Sequence, residues 1–163
     1  MLHTLRRLAR RRAGQALVEF AVVIPVFFLL MLAILDFGRI GLYFVAASDL
    51  ARSGARYAAD YNNGGGFTDA QVVAYVKQQA DGLTMANLTQ ASCSPVTPPN
   101  PITGATAACY KPPVGSTYIF IDRTSATSVK VSIVYTFEAT TPMVRAFFQT
   151  YYLEASATMD SEY

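Results

Sequence analysis

The sequence has no tryptophan, one histidine and two cysteines, and only 15% of its residues are charged. Each shortage excludes something. The one histidine, His3, lies in a segment read below as a leader, so no imidazole remains downstream for a nucleophile–base–acid set or a zinc site. Gly64-Gly65-Gly66 is not followed by Lys-Ser/Thr, so there is no phosphate-binding loop. The carboxylates are scattered and suggest neither a metal cluster nor a glycosidase pair. The chain reads as no enzyme, with no cofactor and no metal. Acids are also missing from the first 18 positions, where Arg6, Arg7, Arg10, Arg11 and Arg12 crowd together. The formal charge of +2 rests on that block: taking its five arginines from 13 basic residues leaves 8 against 11 acids, a net −3. The basic balance is therefore a topology signal, and no nucleic-acid partner is expected.

What is present in quantity is apolar. From Leu17 to Leu35 the only interruption is Glu19, giving about 19 residues and, as a helix, roughly 28 Å, enough to cross the hydrocarbon of a bilayer. Basic residues resist translocation, so the arginine flank stays cytoplasmic and the C-terminal side is exported. Gly14 is a small residue at the seam. Glu19 is a carboxylate inside the apolar run, where a charge is expensive and needs a partner. A cut after Gly14 makes Gln15 the new N-terminus and places its ammonium one helical turn from Glu19, at i to i+4 spacing. That amine, in the same chain or a neighbour, is the expected partner. Simpler readings compete: an ordinary signal anchor, a Glu19 that snorkels to the interface, or signal-peptidase cleavage at Val45-Ala46-Ala47, which lies too far past the apolar core.

Gly14, the four residues Gln15-Ala16-Leu17-Val18, then Glu19-Phe20 resembles the cleavage pattern of the type IV pilin-like proteins of the tight-adherence (Tad, Flp) system. Asp36-Phe37-Gly38-Arg39, Ala51-Arg52-Ser53-Gly54-Ala55-Arg56 and, more loosely, Leu153 to Met159 make the chain most similar to the TadE-like minor pilins. The resemblance is dense over residues 14–59 and absent between Asn62 and Pro113. It implies cleavage by a prepilin peptidase at Gly14–Gln15 and assembly through Glu19 and Phe20. The implied partners are other pilin subunits, an inner-membrane platform, an assembly ATPase and the lipid bilayer. The implied location is the inner membrane, single-pass, with the C-terminal domain extracytoplasmic or in an extracellular pilus. Two alternatives stand beside it: a signal-anchored extracellular binding module, and a pseudopilin of a type II secretion-like system.

The expected organisation is a leader over 1–14, a pilin helix over 15–60 with 17–35 in the membrane, and an exported head over 61–163. Pro25 removes one helical donor and frees the carbonyl of Ala21. Beyond Leu35, residues Phe37, Ile40, Phe44, Ala47, Ala51, Gly54 and Ala58 recur at spacings of three and four, which predicts one packing stripe, with Asp36, Arg39, Asp49, Arg52, Arg56 and Asp60 mainly off it. Ion pairs of Asp49 and Asp60 with Arg52 and Arg56 fit helical spacing. Asn62 to Gly66 reads as a flexible break. Thr68 and Gln71 form a capping box for a helix from Asp69 to Asp81 that buries Val72, Val73, Val76, Ala80 and Leu83 and stops at Gly82. The stretch from Thr84 to Pro113 reads as an irregular surface loop. Cys93 and Cys109 within it are expected to pair across about 15 residues, worth roughly 3 kcal/mol. Strands are expected at Tyr118–Ile121, at 129–138 with one face exposed, and at 153–159, with a helical turn starting at Pro142. The fold class is α+β: a long helix packed on a small antiparallel sheet, with one further short helix.

Overall fold

In the computed structural model the apolar run and the small-residue stretch after it are one helix. The structure describes residues 2–62, 65–80, 85, 87–100, 102, 105–125, 127–147 and 150–160. Helix α1 runs Leu2–Ala59, 58 residues, and passes through Pro25 and through the Gly14–Gln15 junction without interruption. At 1.5 Å per residue it is a rod of about 87 Å. It ends where Asp60 N donates to Arg56 O at 3.1 Å. The expected flexible break is instead a two-rung hairpin as far as it is described: β1, Tyr61–Asn62, pairs antiparallel with β2, Gly65–Gly66. Its tip, Asn63 and Gly64, lies outside the described residues.

Helix α2, Asp69–Ala80, starts on the expected capping box. Gln71 Oε1 accepts from Thr68 N at 2.8 Å, and Thr68 Oγ1 accepts from Gln71 N at 3.4 Å. Val72, Val73, Val76 and Ala80 are buried as expected, while Asp81, Gly82 and Leu83 lie outside the described residues. The helix crosses α1 where only a glycine fits: a Cβ on Gly54 would stand 2.8 Å from Val76 Cγ2.

The sheet has the order β3-β4-β5-β6, with β3 Leu88–Gln90, β4 Thr117–Asp122, β5 Ser128–Phe137 and β6 Tyr151–Asp160. The three expected strands pair antiparallel. A fourth, β3, joins parallel to β4, so the sheet is mixed. It arises inside the stretch read as irregular, which also holds a 3-10 helix at Ala105–Tyr110.

One face of the sheet packs on α1 through Ile119, Val131, Ile133, Tyr135 and Phe137. The other face was expected to meet solvent. It does not: Ser132, Val134 and Thr136 are as buried as their neighbours. The reason is the 91–112 loop, which lays Ala91, Val96, Ile102 and Tyr110 over Phe120 and Val134. Thr136 Oγ1 donates to Pro112 O at 2.6 Å, which satisfies a hydroxyl buried by that cover. The Cys93–Cys109 disulfide closes the loop. A third helix, α3, Pro142–Phe147, lies between β5 and β6, with Pro142 at its first position as expected.

Candidate functional site

The residues singled out for processing lie on α1 in the open. Gly14 to Phe20 are all exposed, and a Cβ on Gly14 would touch nothing. Gln15 Nε2 donates to Glu19 Oε1 at 3.3 Å, so positions 15 and 19 share one helical face and are within reach of each other. Phe20, beside Glu19, is 61% exposed. The side chains of Arg6, Arg7, Arg10, Arg11 and Arg12 lie outside the described residues.

The apolar run contributes nothing to the core of the head. Apart from the half-buried Ile24 and Leu29, its large side chains from Leu17 to Leu35 are bare, from 44% exposed at Leu32 to 70% at Ile34. Such a surface is far larger than a soluble monomer leaves open. The helix is long and apolar enough to anchor in a membrane. The bare apolar surface does not stop at Leu35: Phe37, Leu42, Phe44 and Val45 are also exposed.

The packing stripe of α1 is the expected one from Ala47 to Ala58 but is rotated before it. Phe37 and Phe44 are exposed, whereas Asp36, Tyr43, Ala47, Leu50, Ala51, Gly54, Ala55 and Ala58 are buried. The stripe is led by a carboxylate, which hydropathy places outside. Asp36 earns burial by accepting from Thr140 N at 3.3 Å and Thr141 N at 3.1 Å, the donors that lead into α3. Arg39 pairs with it at 3.5 Å, bonds Thr140 Oγ1, and lies over the rings of Tyr43 and Phe137 at 5.8 and 5.6 Å. The Tyr43 ring in turn lies tilted against that of Tyr135, centroids 4.7 Å apart. Burial, then the neighbouring Tyr43, pushes the Tyr135 hydroxyl up to about 12. Beside this joint a cleft of about 260 Å³ is lined by Phe37, Ile40, Phe137, Val144, Tyr151 and Leu153.

At the other end of the packed stripe, Arg123 ties three elements together. It donates to Asp69 Oδ1 and Phe67 O, both at 2.8 Å, and to Ala58 O at 3.4 Å, satisfying a carbonyl of the last turn of α1. Phe67, Tyr57 and Tyr75 stack beside it, with centroids 4.1 and 4.2 Å apart. The sequence singled out Asp36 only within the Asp36-Phe37-Gly38-Arg39 segment, off the packing stripe, and did not single out Arg123, because each acts on backbone groups brought close only by the fold. Among the described residues, the expected pairs of Asp49 and Asp60 with Arg52 and Arg56 do not form.

The described site is thus a bare apolar rod, a Gly–Gln junction one turn before an acid, and a charged joint to the head. Residues 14–56 match the TadE-like protein family. The matched segment is α1 from the junction to its penultimate turn, so the TadE-like part is the rod, and the sheet and its covering loop lie beyond it. No curated protein sequence and no solved structure matches the chain.

Proposed function

We propose that this chain is a minor pilin of the TadE-like kind, inserted with its arginine flank in the cytoplasm and cut between Gly14 and Gln15 by a prepilin peptidase. It assembles through its apolar helix into or beneath a tight-adherence pilus. The chain is the substrate of an enzyme and not one itself. The single observation that carries this reading is the bare surface of Leu17 to Leu35, on a helix that continues unbroken into a packed head. A rod of that kind is buried either by lipid or by other rods, and a subunit that exchanges one for the other is what an assembling filament requires.

Glu19 supplies the selectivity. Its carboxylate faces position 15, the residue that carries the free ammonium once the leader is gone. The pair forms within one subunit or between neighbours, and an apolar surrounding strengthens it. The partners are the peptidase, the platform and assembly ATPase of the inner membrane, and other pilin subunits.

The test is the N-terminal sequence of the chain recovered from its own cells. It should begin at Gln15. Gly14→Leu should leave the precursor uncut, and Glu19→Ala should be cut but fail to enter pili. An intact Met1 terminus on the working form, or a full pilus phenotype in Glu19→Leu, would overturn the reading.

A further inference from the structure

We propose that the groove between α1 and the segment leading into α3 binds one membrane phospholipid, its acyl chain along Leu32 and Leu35 and its phosphate on Arg39. This rests on the membrane insertion proposed above and not on the cut after Gly14.

The groove has a volume of about 320 Å³. Leu32, Leu35, Asp36 and Arg39 of α1 form one wall, and Thr140, Thr141 and Pro142 form the other. From Leu32 to Arg39, about 10 Å along the axis, its lining passes from bare leucine to a guanidinium. Leu35 closes the apolar run, and Arg39 stands one turn beyond it, about 6 Å further out. The headgroup layer of a bilayer is about 5–7 Å deep on each side. With Leu35 at the edge of the hydrocarbon, Arg39 is level with the phosphates. A phospholipid carries its apolar and anionic parts in that order and at that spacing, which selects it as the occupant. The cleft on the other side of Asp36 has no basic residue in its lining and lacks the second half of the match.

Arg39 is held in place with donors to spare. It lies over the rings of Tyr43 and Phe137. Its Nη1 is spent on Thr140 Oγ1 and Asp36 Oδ1, and its Nη2 donates to Tyr43 Oη at 3.4 Å. A guanidinium has five N–H groups, so those on Nε and the second on Nη2 have no partner among the described residues. Two such donors match two oxygens of one phosphate. The Arg39 side chain is 40% exposed, so the approach is open. Asp36, the acid in the same groove, is turned inward onto Thr140 N and Thr141 N, with its side chain 5% exposed. The two residues cancel in formal charge, yet the groove shows its cation and hides its acid.

The full-length chain in detergent tests this by native mass spectrometry with three probes: phosphatidylglycerol, diacylglycerol with the same chains, and glycerol phosphate. Phosphatidylglycerol should bind at one per chain. Diacylglycerol lacks the phosphate and should bind about tenfold more weakly, and glycerol phosphate lacks the chains and should not bind. Arg39→Gln should weaken phosphatidylglycerol about tenfold. That change also touches the joint to the head, so thermal melting accompanies it and a second variant stands outside the head. Leu32→Trp crowds the apolar wall and should lower binding about tenfold with the melting temperature unchanged. Val22→Trp, equally bare but further back on the rod, should leave binding as it was. Equal binding of diacylglycerol, binding of glycerol phosphate alone, equal loss in Val22→Trp, or no bound phospholipid on a folded chain would each overturn the proposal. So would a dimer of the chain that excludes phosphatidylglycerol, because a second copy would then fill the groove. The same chain, recovered from its own cells, is sequenced from the N-terminus. A chain starting at Gln15 that binds no phospholipid sinks this inference and leaves the pilin reading standing. A chain that stays uncut and binds one does the reverse.

Discussion

Asp36 decides where the rod enters the head. It is buried, and its carboxylate takes the two backbone donors ahead of α3. Asp36→Ala leaves those donors and Arg39 without their partner, and should cost about 1–3 kcal/mol in chemical denaturation. Gly54→Ala should cost about as much, because its Cβ would stand 2.8 Å from Val76 Cγ2 and 3.4 Å from Val131 Cγ1. Two carboxyls of the sheet should act in opposite senses on stability. Hydrogen bonds from Thr97 and Thr124 hold the Asp122 carboxyl below its ordinary 3.8. Its contribution is present above that value and is lost as pH falls below it. Burial pushes the Glu154 carboxyl above its ordinary 4.5, with Lys130 opposing, and its Oε2 is buried without a hydrogen-bond partner among the described residues. The fold therefore favours the protonated acid, and stability falls as pH rises from 4.5 through the raised value. Glu154→Gln should raise the melting temperature at neutral pH and leave it unchanged well below 4.5; Asp122→Asn should flatten the acid limb. At this scale the sequence was legible where the partner is local. The Thr68–Gln71 capping box depends on spacing alone. Asp36 was illegible because the groups that justify its burial lie more than 100 residues away.

Among the elements, β5 is the one whose environment the sequence misstated. Alternation along 129–138 reads as one wet face, yet Ser132 and Thr136 are covered. Alternation reports the polarity of side chains, and a loop that supplies its own acceptors, as Pro112 does for Thr136, lets a polar face be buried. The proline content of 95–113 signalled irregular backbone but not where it lies. The disulfide holds that cover in place. Changing Cys93 and Cys109 to serine should cost about 3 kcal/mol in the denaturation midpoint. It should also expose Phe120 and Val134 to a hydrophobic dye while α1 packing, followed through Tyr43 and Tyr135, is retained. Loss of both together would mean that the two faces of the sheet are not separable. The α+β architecture, α2, α3 and the last three strands were legible because each has a strong local period or cap. The short β3 was not: three residues carry no period, and a parallel partner gives no turn signal.

For the molecule as a whole, the division of labour falls at Asp36. No window of the apolar run is buried against the head. A chain beginning at Asp36 should therefore melt as the full chain does and need no detergent. One beginning at Ala51 should not fold, having lost Asp36, Tyr43, Ala47 and Leu50 from the buried face. Circular dichroism and size-exclusion chromatography distinguish these outcomes.

The unbroken passage of α1 into the sheet also has a mechanical side. A pull on the rod along its axis meets no slack linker before it reaches β5 and β6. It loads the whole contact from Asp36 to Ala58 in shear, so the rows must slip together and cannot peel one at a time. A helix joined to a sheet this way transmits traction stiffly, and under load the joint at Asp36 and Arg39 is where strain arrives first.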